Sequence, residues 1–178
     1  MRVPKVEINR ILYATDLSET ARHAFAYAVS LANLYEAQLV ILYVASDDGM
    51  DEEDLKQHVD KDQWEKIQKQ NMDDAREVLI GKKKQSETIR QVLNHFCSSV
   101  VASSDSQPAV KDEIEIIAGD PVEEIVAHAR DMACDLIVIG NRGHSPASAK
   151  NIGSTAHEVL QRAGMPVMLV HGPSDQAE

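Results

Sequence analysis

The sequence predicts a doubly wound α/β fold: a five-stranded parallel sheet in the order 3-2-1-4-5, with helices on both faces. Three observations lead there. Four short apolar runs are continuous and not alternating, as strands buried on both faces are. Segments with helical apolar spacing separate them, so strand and helix alternate along the chain. Aromatic residues make up only 4% of the 178, so the core must come from Ala, Val, Leu and Ile, which suits helices packed closely on a sheet. Right-handed crossovers then put helices on both sheet faces. The whole chain, 1–178, reads as one domain with a helical insertion at about 47–110.

The first strand is "ILYAT" (11–15). Residues 18 to 36 follow with a stripe of Ala21, Phe25, Ala28, Ala32 and Tyr35, and Ser18 stands where an N-cap belongs. "QLVILYVA" (38–45) is the second strand. Beyond it, 51–80 reads as one long solvated helix, interrupted by "GKKK" (81–84), before "ETIRQVLNHFCSSVVA" (87–102) resumes an amphipathic pattern. Trp64 and the acidic residues around it read as solvated surface, and 103–112 has the composition of a loop. "DEIEIIAG" (112–119) alternates more than the other runs, which places this third strand nearer a sheet edge. "DPVEEIVAHARDMA" then offers Asp120 as N-cap, Pro121 at the first helical position and Glu123 in capping-box-like spacing. Its stripe is Val122, Ile125, Val126, Ala129 and Met132. "DLIVIG" (135–140) is the fourth strand. The last helix, 153–163, should pack through Ala156, Val159, Leu160 and Ala163. Gly164 can end it in a left-handed cap, and "PVMLV" (166–170) is the fifth strand.

Charge narrows the partners. The formal net charge of −11 argues against general nucleic-acid binding, which needs a basic face. The excess is concentrated: residues 46–80 hold 12 acidic and 5 basic side chains. Residues 140–164 instead carry Arg142, Lys150 and Arg162 against Glu158 alone. An acidic chain with a mildly basic glycine loop suits a small anion. Cys97 and Cys134 form no CxxC pair, so structural thiols in a reducing compartment are expected, not a disulfide framework or zinc site. The amino terminus lacks a signal-peptide pattern, and no apolar run approaches the roughly 18–20 residues that span a bilayer. These features point to a cytoplasmic protein with no membrane partner.

The stretch "GNRGHSPASAKNIGST" (140–155) carries the chemistry. Gly140 closes strand four, Gly143 follows, and Gly153-Ser154-Thr155 opens the last helix. In an open α/β sheet, ligands bind beyond the carboxyl ends of the strands, where the strand order reverses. For order 3-2-1-4-5 that point lies between strands one and four, where this loop begins. Glycines let the backbone approach an anion. A helix amino end offers unsatisfied N–H donors and about half a positive charge. Ser154 and Thr155 add hydroxyls, and Arg142 adds charge. The competing reading is structural: a glycine that ends a strand, and Ser154 or Thr155 as a helix cap, with Thr155 and Glu158 at capping-box spacing.

Gly140, Gly143, Gly153 and Ser154 match, without a gap, the G-x2-G-x9-G-[S/T] pattern of the universal stress protein family. "RILYATDLSETARHAFAYAVSLA" also resembles that family's first strand and helix, with Asp16 at its strand-end position, and "GMPVMLV" resembles its last strand. The likeness covers about 8–46 and 111–171. It implies binding of ATP, AMP or ADP, with phosphates in the 140–155 loop, Asp16 near the ribose, and Ala14 and Val44 bordering the adenine. Backbone groups of Val44 would face the base. A carboxylate facing sugar hydroxyls is independently sound, since each hydroxyl can donate to it; for Asp16 the competing reading is help in capping the 18–36 helix. The resemblance also implies a homodimer through the edge strand 166–170, with an unidentified protein partner downstream. Mg²⁺ or Mn²⁺ can accompany ATP. The expected role is a nucleotide-responsive stress protein. The alternatives are a dimerisation module that binds no nucleotide, and a slow ATPase for which His144 is the one base in the loop; His157 reads as surface or packing.

Overall fold

The computed structural model describes residues 5–45, 55–56, 59–74, 81–102, 113–143 and 152–172. The elements are β1 (Arg10–Thr15), α1 (Glu19–Tyr35), β2 (Gln38–Ala45), α2 (Lys61–Asp74) and α3 (Gly81–Ala102). They continue as β3 (Glu113–Ala118), α4 (Pro121–Asp131), β4 (Leu136–Gly140), α5 (Ser154–Arg162) and β5 (Val167–Val170). The five strands are parallel and ordered β3-β2-β1-β4-β5. That is the expected sheet, with the alternating β3 at one edge and β5 at the other.

Burial on both faces explains the unbroken apolar runs. Ile11 and Tyr13 of β1, with Leu39 and Ile41 of β2, join Phe25 of α1 and Phe96 of α3 in one core layer. Leu12 and Ala14, with Val40 and Leu42, turn the other way onto Val122, Ile125 and Ala129 of α4 and Ala156 and Val159 of α5. The few aromatics are concentrated in the first layer, where the Phe25 ring lies 5.2 Å from Tyr13 and 6.1 Å from Phe96.

Two caps fall where the sequence puts them. The Ser18 hydroxyl accepts from Ala21 N–H at 3.1 Å, and the Asp120 carboxylate accepts from Glu123 N–H at 2.9 Å, with Pro121 opening the helix. Each cap satisfies an amide that the helix leaves unpaired and contributes about 1 kcal/mol.

Five local expectations are corrected. Trp64 is not solvated surface: with Leu55 and Ile67 it packs against the first core layer, beside Ile89, Val92 and Leu93 of α3. The described part of 51–80 is not one helix, because Asp60 starts α2, its carboxylate accepting from Gln63 N–H at 2.8 Å. "GKKK" does not break the next helix; α3 begins at Gly81. Tyr35 and Leu160 are exposed at 44% and 45%, each rotated off its helix's buried stripe. Ala163 ends α5 in an extended conformation, and among the described glycines only Gly119 has positive φ, so Gly164 provides no left-handed cap. The 103–112 loop lies outside the described residues. Cys97 and Cys134 are free and buried, and burial lifts the Cys134 thiol to about 11.

Candidate functional site

Two strand-to-helix turns build the site. The first follows β1. Thr15 Oγ1 accepts from Leu17 N–H at 3.1 Å, and Asp16 Oδ1 accepts from Ser18 N–H at 3.0 Å. Ser18 in turn caps α1. Short polar side chains thus stand in for backbone partners through the whole turn. Leu17, at the centre, has φ 66° yet is 2% exposed. A bulky residue in that region is strained; its burial among core residues and the Thr15 bond hold it there.

The second turn follows β4. Gly140 packs against the first turn of α1, and a Cβ there would lie 3.0 Å from Thr20 Cγ2 and 3.4 Å from Ala21 N. Asn141, buried at 4% exposure, ties three segments together. Its N–H donates to the Val170 carbonyl at 2.7 Å, its carbonyl accepts from Gly153 N–H at 2.8 Å, and its side-chain amide meets His171 Nδ1 at 2.8 Å. Gly143 abuts the Asp16 carboxylate, and a Cβ on it would overlap Asp16 Oδ2. The two turns therefore touch, and glycine at 143 is what lets them.

At the start of α5 the N-cap is Gly153, which supplies no side-chain hydrogen bond. The structural reading of Ser154 and Thr155 as caps is therefore set aside. The first hydrogen bond of the helix runs from His157 N–H to the Gly153 carbonyl at 2.9 Å. The amides of Ser154, Thr155 and Ala156 precede it, so α5 offers them no partner, and all three residues line the cleft.

Ala14, Asp16, Val44, Gly140, Arg142, Gly143, Gly153, Ser154 and Thr155 line one cleft of about 290 Å³. It sits at the carboxyl ends of β1 and β4, the point where strand order reverses. Sequence reasoning missed its walls: Leu42 and Ile139 from the sheet, and Pro121 and Ile125 from α4. One end is apolar, and the other gathers amides, hydroxyls and Arg142. Asp16 is the one carboxylate among the described lining residues. Asp16 helps cap α1, as the competing reading has it: one oxygen accepts from the N–H of the N-cap Ser18, and the other is turned toward Gly143. His157 is exposed, against Gln161 at 3.3 Å, and does not line the cleft. His144 lies outside the described residues. Among the described residues no three His, Cys, Asp or Glu side chains cluster as metal ligands, and no helix is long and apolar enough to cross a membrane.

Comparison with known proteins agrees with this fold. The pattern of the universal stress protein family matches residues 7–171. Universal stress protein MJ0577 of Methanocaldococcus jannaschii is 25% identical over 175 residues, covering 93% of this chain and 96% of that protein. The solved universal stress protein UspA from Lactobacillus plantarum aligns with a TM-score of 0.65 at 22% identity, over 93% of this chain and 99% of its own. A universal stress protein solved in complex with cAMP aligns at TM-score 0.57 and 19% identity, covering 94% and 100% of the two chains. One from Archaeoglobus fulgidus in complex with dAMP aligns at 0.55 and 18%, covering 93% and 99%. At these identities the solved structures establish the shared fold alone. With nearly its whole length matched by the family pattern, this chain belongs to the universal stress protein family.

Proposed function

We propose that the chain binds an adenine nucleotide, ATP or AMP, in the cleft between β1 and β4, and acts as a nucleotide-responsive stress protein. The observation that carries this reading is the start of α5. The amides of three consecutive cleft-lining residues have no partner in the helix, and the N-cap has no side chain to serve them. A phosphate there would accept from them and meet the positive end of the helix dipole. Gly153 supports the same assignment. Its φ of −62° and ψ of 152° suit any residue, and a Cβ would make only ordinary contacts, 3.4 Å to the Asn141 carbonyl oxygen and 3.5 Å to Arg142 Cα. The fold does not require glycine there, whereas close approach by a phosphate does.

Gly140 and Gly143 shape the rest of the cradle, with Arg142, Ser154 and Thr155 as further donors. Asp16 faces the ribose hydroxyls. Ala14 and Val44, backed by Leu42 and Ile139, form the apolar slot for the base. The solved relatives with cAMP and dAMP bring adenine nucleotides to this fold. Asp16 is the one carboxylate among the described lining residues, too few for a protein-built metal cage, so Mg²⁺ or Mn²⁺, where present, would be held through the phosphates with Asp16 nearby.

The chain would pair with a second copy through β5. That strand is a sheet edge whose Val167, Met168 and Leu169 are only partly buried, and unpaired edges are covered in stable proteins. Isothermal titration of the full chain with ATP and with AMP, with and without Mg²⁺, tests the nucleotide reading. Saturable binding of one nucleotide per chain is expected; absence of heat at millimolar nucleotide overturns it.

A further inference from the structure

The β1–β2 ladder stops one rung short of where the backbone would carry it, and a side chain stops it. Gln38 N–H donates to the Asn9 carbonyl at 2.8 Å, so Gln38 turns its backbone groups toward β1. The Ala45 carbonyl accepts from Gly119 N–H at 3.0 Å, so Ala45 turns toward β3. Strand alternation then makes residues 38, 40, 42 and 44 face β1. Register pairs Thr15 with Tyr43 as the last rung. One step further, the Val44 carbonyl would receive Leu17 N–H.

Leu17 N–H goes instead to Thr15 Oγ1, at 3.1 Å. The diversion is held from both sides. Two residues back on the same face of β1, the Tyr13 hydroxyl donates to the Ala21 carbonyl at 2.7 Å and ties the strand to α1. Leu17 is buried with its backbone turned to φ 66°. Thr15 itself is 8% exposed, one of the few buried polar residues. The outcome is a carbonyl acceptor past the end of the ladder, on the wall of the cleft and among apolar side chains.

We propose that Thr15 is a positioning residue for base selection: by capturing Leu17 N–H it leaves the Val44 carbonyl open to a purine bearing an exocyclic amine. This rests on the nucleotide reading above and deepens it. A 6-amino purine can donate to that carbonyl. A 6-oxo purine sets a second acceptor against it, an unpaired contact in a largely dry slot.

The test compares ATP with inosine triphosphate on the full-length chain and on Thr15→Val and Thr15→Ser. Wild type and Thr15→Ser should prefer ATP by about tenfold or more. Thr15→Val keeps the shape and loses the acceptor, which frees Leu17 N–H to close the ladder, so the preference should fall to within about threefold. A nucleotide-free readout accompanies it: through-hydrogen-bond NMR coupling between Leu17 N–H and the Val44 carbonyl, absent in wild type and present in Thr15→Val. Coupling already present in wild type overturns the inference even where Thr15→Val does not fold. An unchanged ATP preference in folded Thr15→Val overturns it while leaving nucleotide binding intact. A wild-type chain that binds neither nucleotide overturns both readings.

Discussion

Replacing Gly153 with alanine separates what the fold needs from what a phosphate needs. The backbone at 153 is extended, a conformation alanine adopts without strain, and the new methyl would sit 3.4 Å from the Asn141 carbonyl oxygen and 3.5 Å from Arg142 Cα. Neither distance forces a shift. Alanine is a poorer N-cap than glycine by about 0.5–1 kcal/mol, and it returns about 0.4–1 kcal/mol by restricting the unfolded chain. The net change in stability is close to zero, so Tm should move by no more than about 3 °C for a chain of this size. Affinity is a different matter. The methyl projects into the gap between the start of α5 and the β4 loop, and the loss of one amide-to-phosphate bond costs about 1.5–3 kcal/mol. That corresponds to about a 10- to 150-fold rise in Kd. Gly140→Ala is the contrast: its methyl would press on Thr20 Cγ2 at 3.0 Å and the Arg142 carbonyl at 3.3 Å, so stability should fall along with affinity. Calorimetric titration with AMP, paired with thermal unfolding, reads both. A Gly153→Ala protein that binds AMP as wild type does would refute the reasoning.

Gly143→Ala should displace the Asp16 carboxylate, whose other oxygen holds Ser18 N–H at 3.0 Å. Unfolding in urea should show a loss of about 1 kcal/mol, and any preference for AMP over dAMP should shrink. Asp120→Ala removes the α4 cap, for about 1 kcal/mol and a fall in Tm of about 2–4 °C, with AMP affinity retained. Alkaline pH should destabilise the fold. Burial holds the Cys134 thiol at about 11 against an ordinary 9.0, and also raises the Tyr13 phenol. Above about pH 9 the unfolded chain releases protons that the folded one keeps, so it binds fewer and stability falls as pH rises. Cys134→Ala should flatten that limb between pH 9 and 11, as measured by urea titrations. Light scattering at micromolar concentration should give a dimeric mass, and Leu169→Lys on the edge strand should lower it to that of a monomer.

The parts legible in the sequence are those governed by local rules. Continuous runs such as "QLVILYVA" signal burial on both faces, and Ser18, Asp120 and Pro121 are read directly from capping chemistry. The cleft was legible because a parallel sheet fixes where loops gather, so that Gly140 and Gly153 at either end of one crossover place it. Ala14 and Val44, which also line it, came only from the family resemblance, since their side chains read locally as core. What stayed hidden depends on contacts distant in sequence. Trp64 sits among charges that local composition assigns to solvent, and only the packing of α2 against α3 buries it. The lysines after Gly81 read as an interruption, yet the helix starts there. Leu17 is the clearest case. Leucine is among the residues least expected at positive φ; the bond to Thr15 Oγ1 is local, but the core that buries Leu17 is built from α1, β2 and α3. Asn141 was passed over as a polar residue between glycines, although its backbone and side chain join β4, β5 and the start of α5.

A crystal of the full chain grown with millimolar AMP puts the central claim to its most direct test. The phosphate should lie within hydrogen-bonding distance of the Ser154 and Thr155 amides, with the ribose against Asp16 and the base between Ala14 and Val44. AMP bound elsewhere on the surface, or that cleft without nucleotide at saturating concentration, would contradict it.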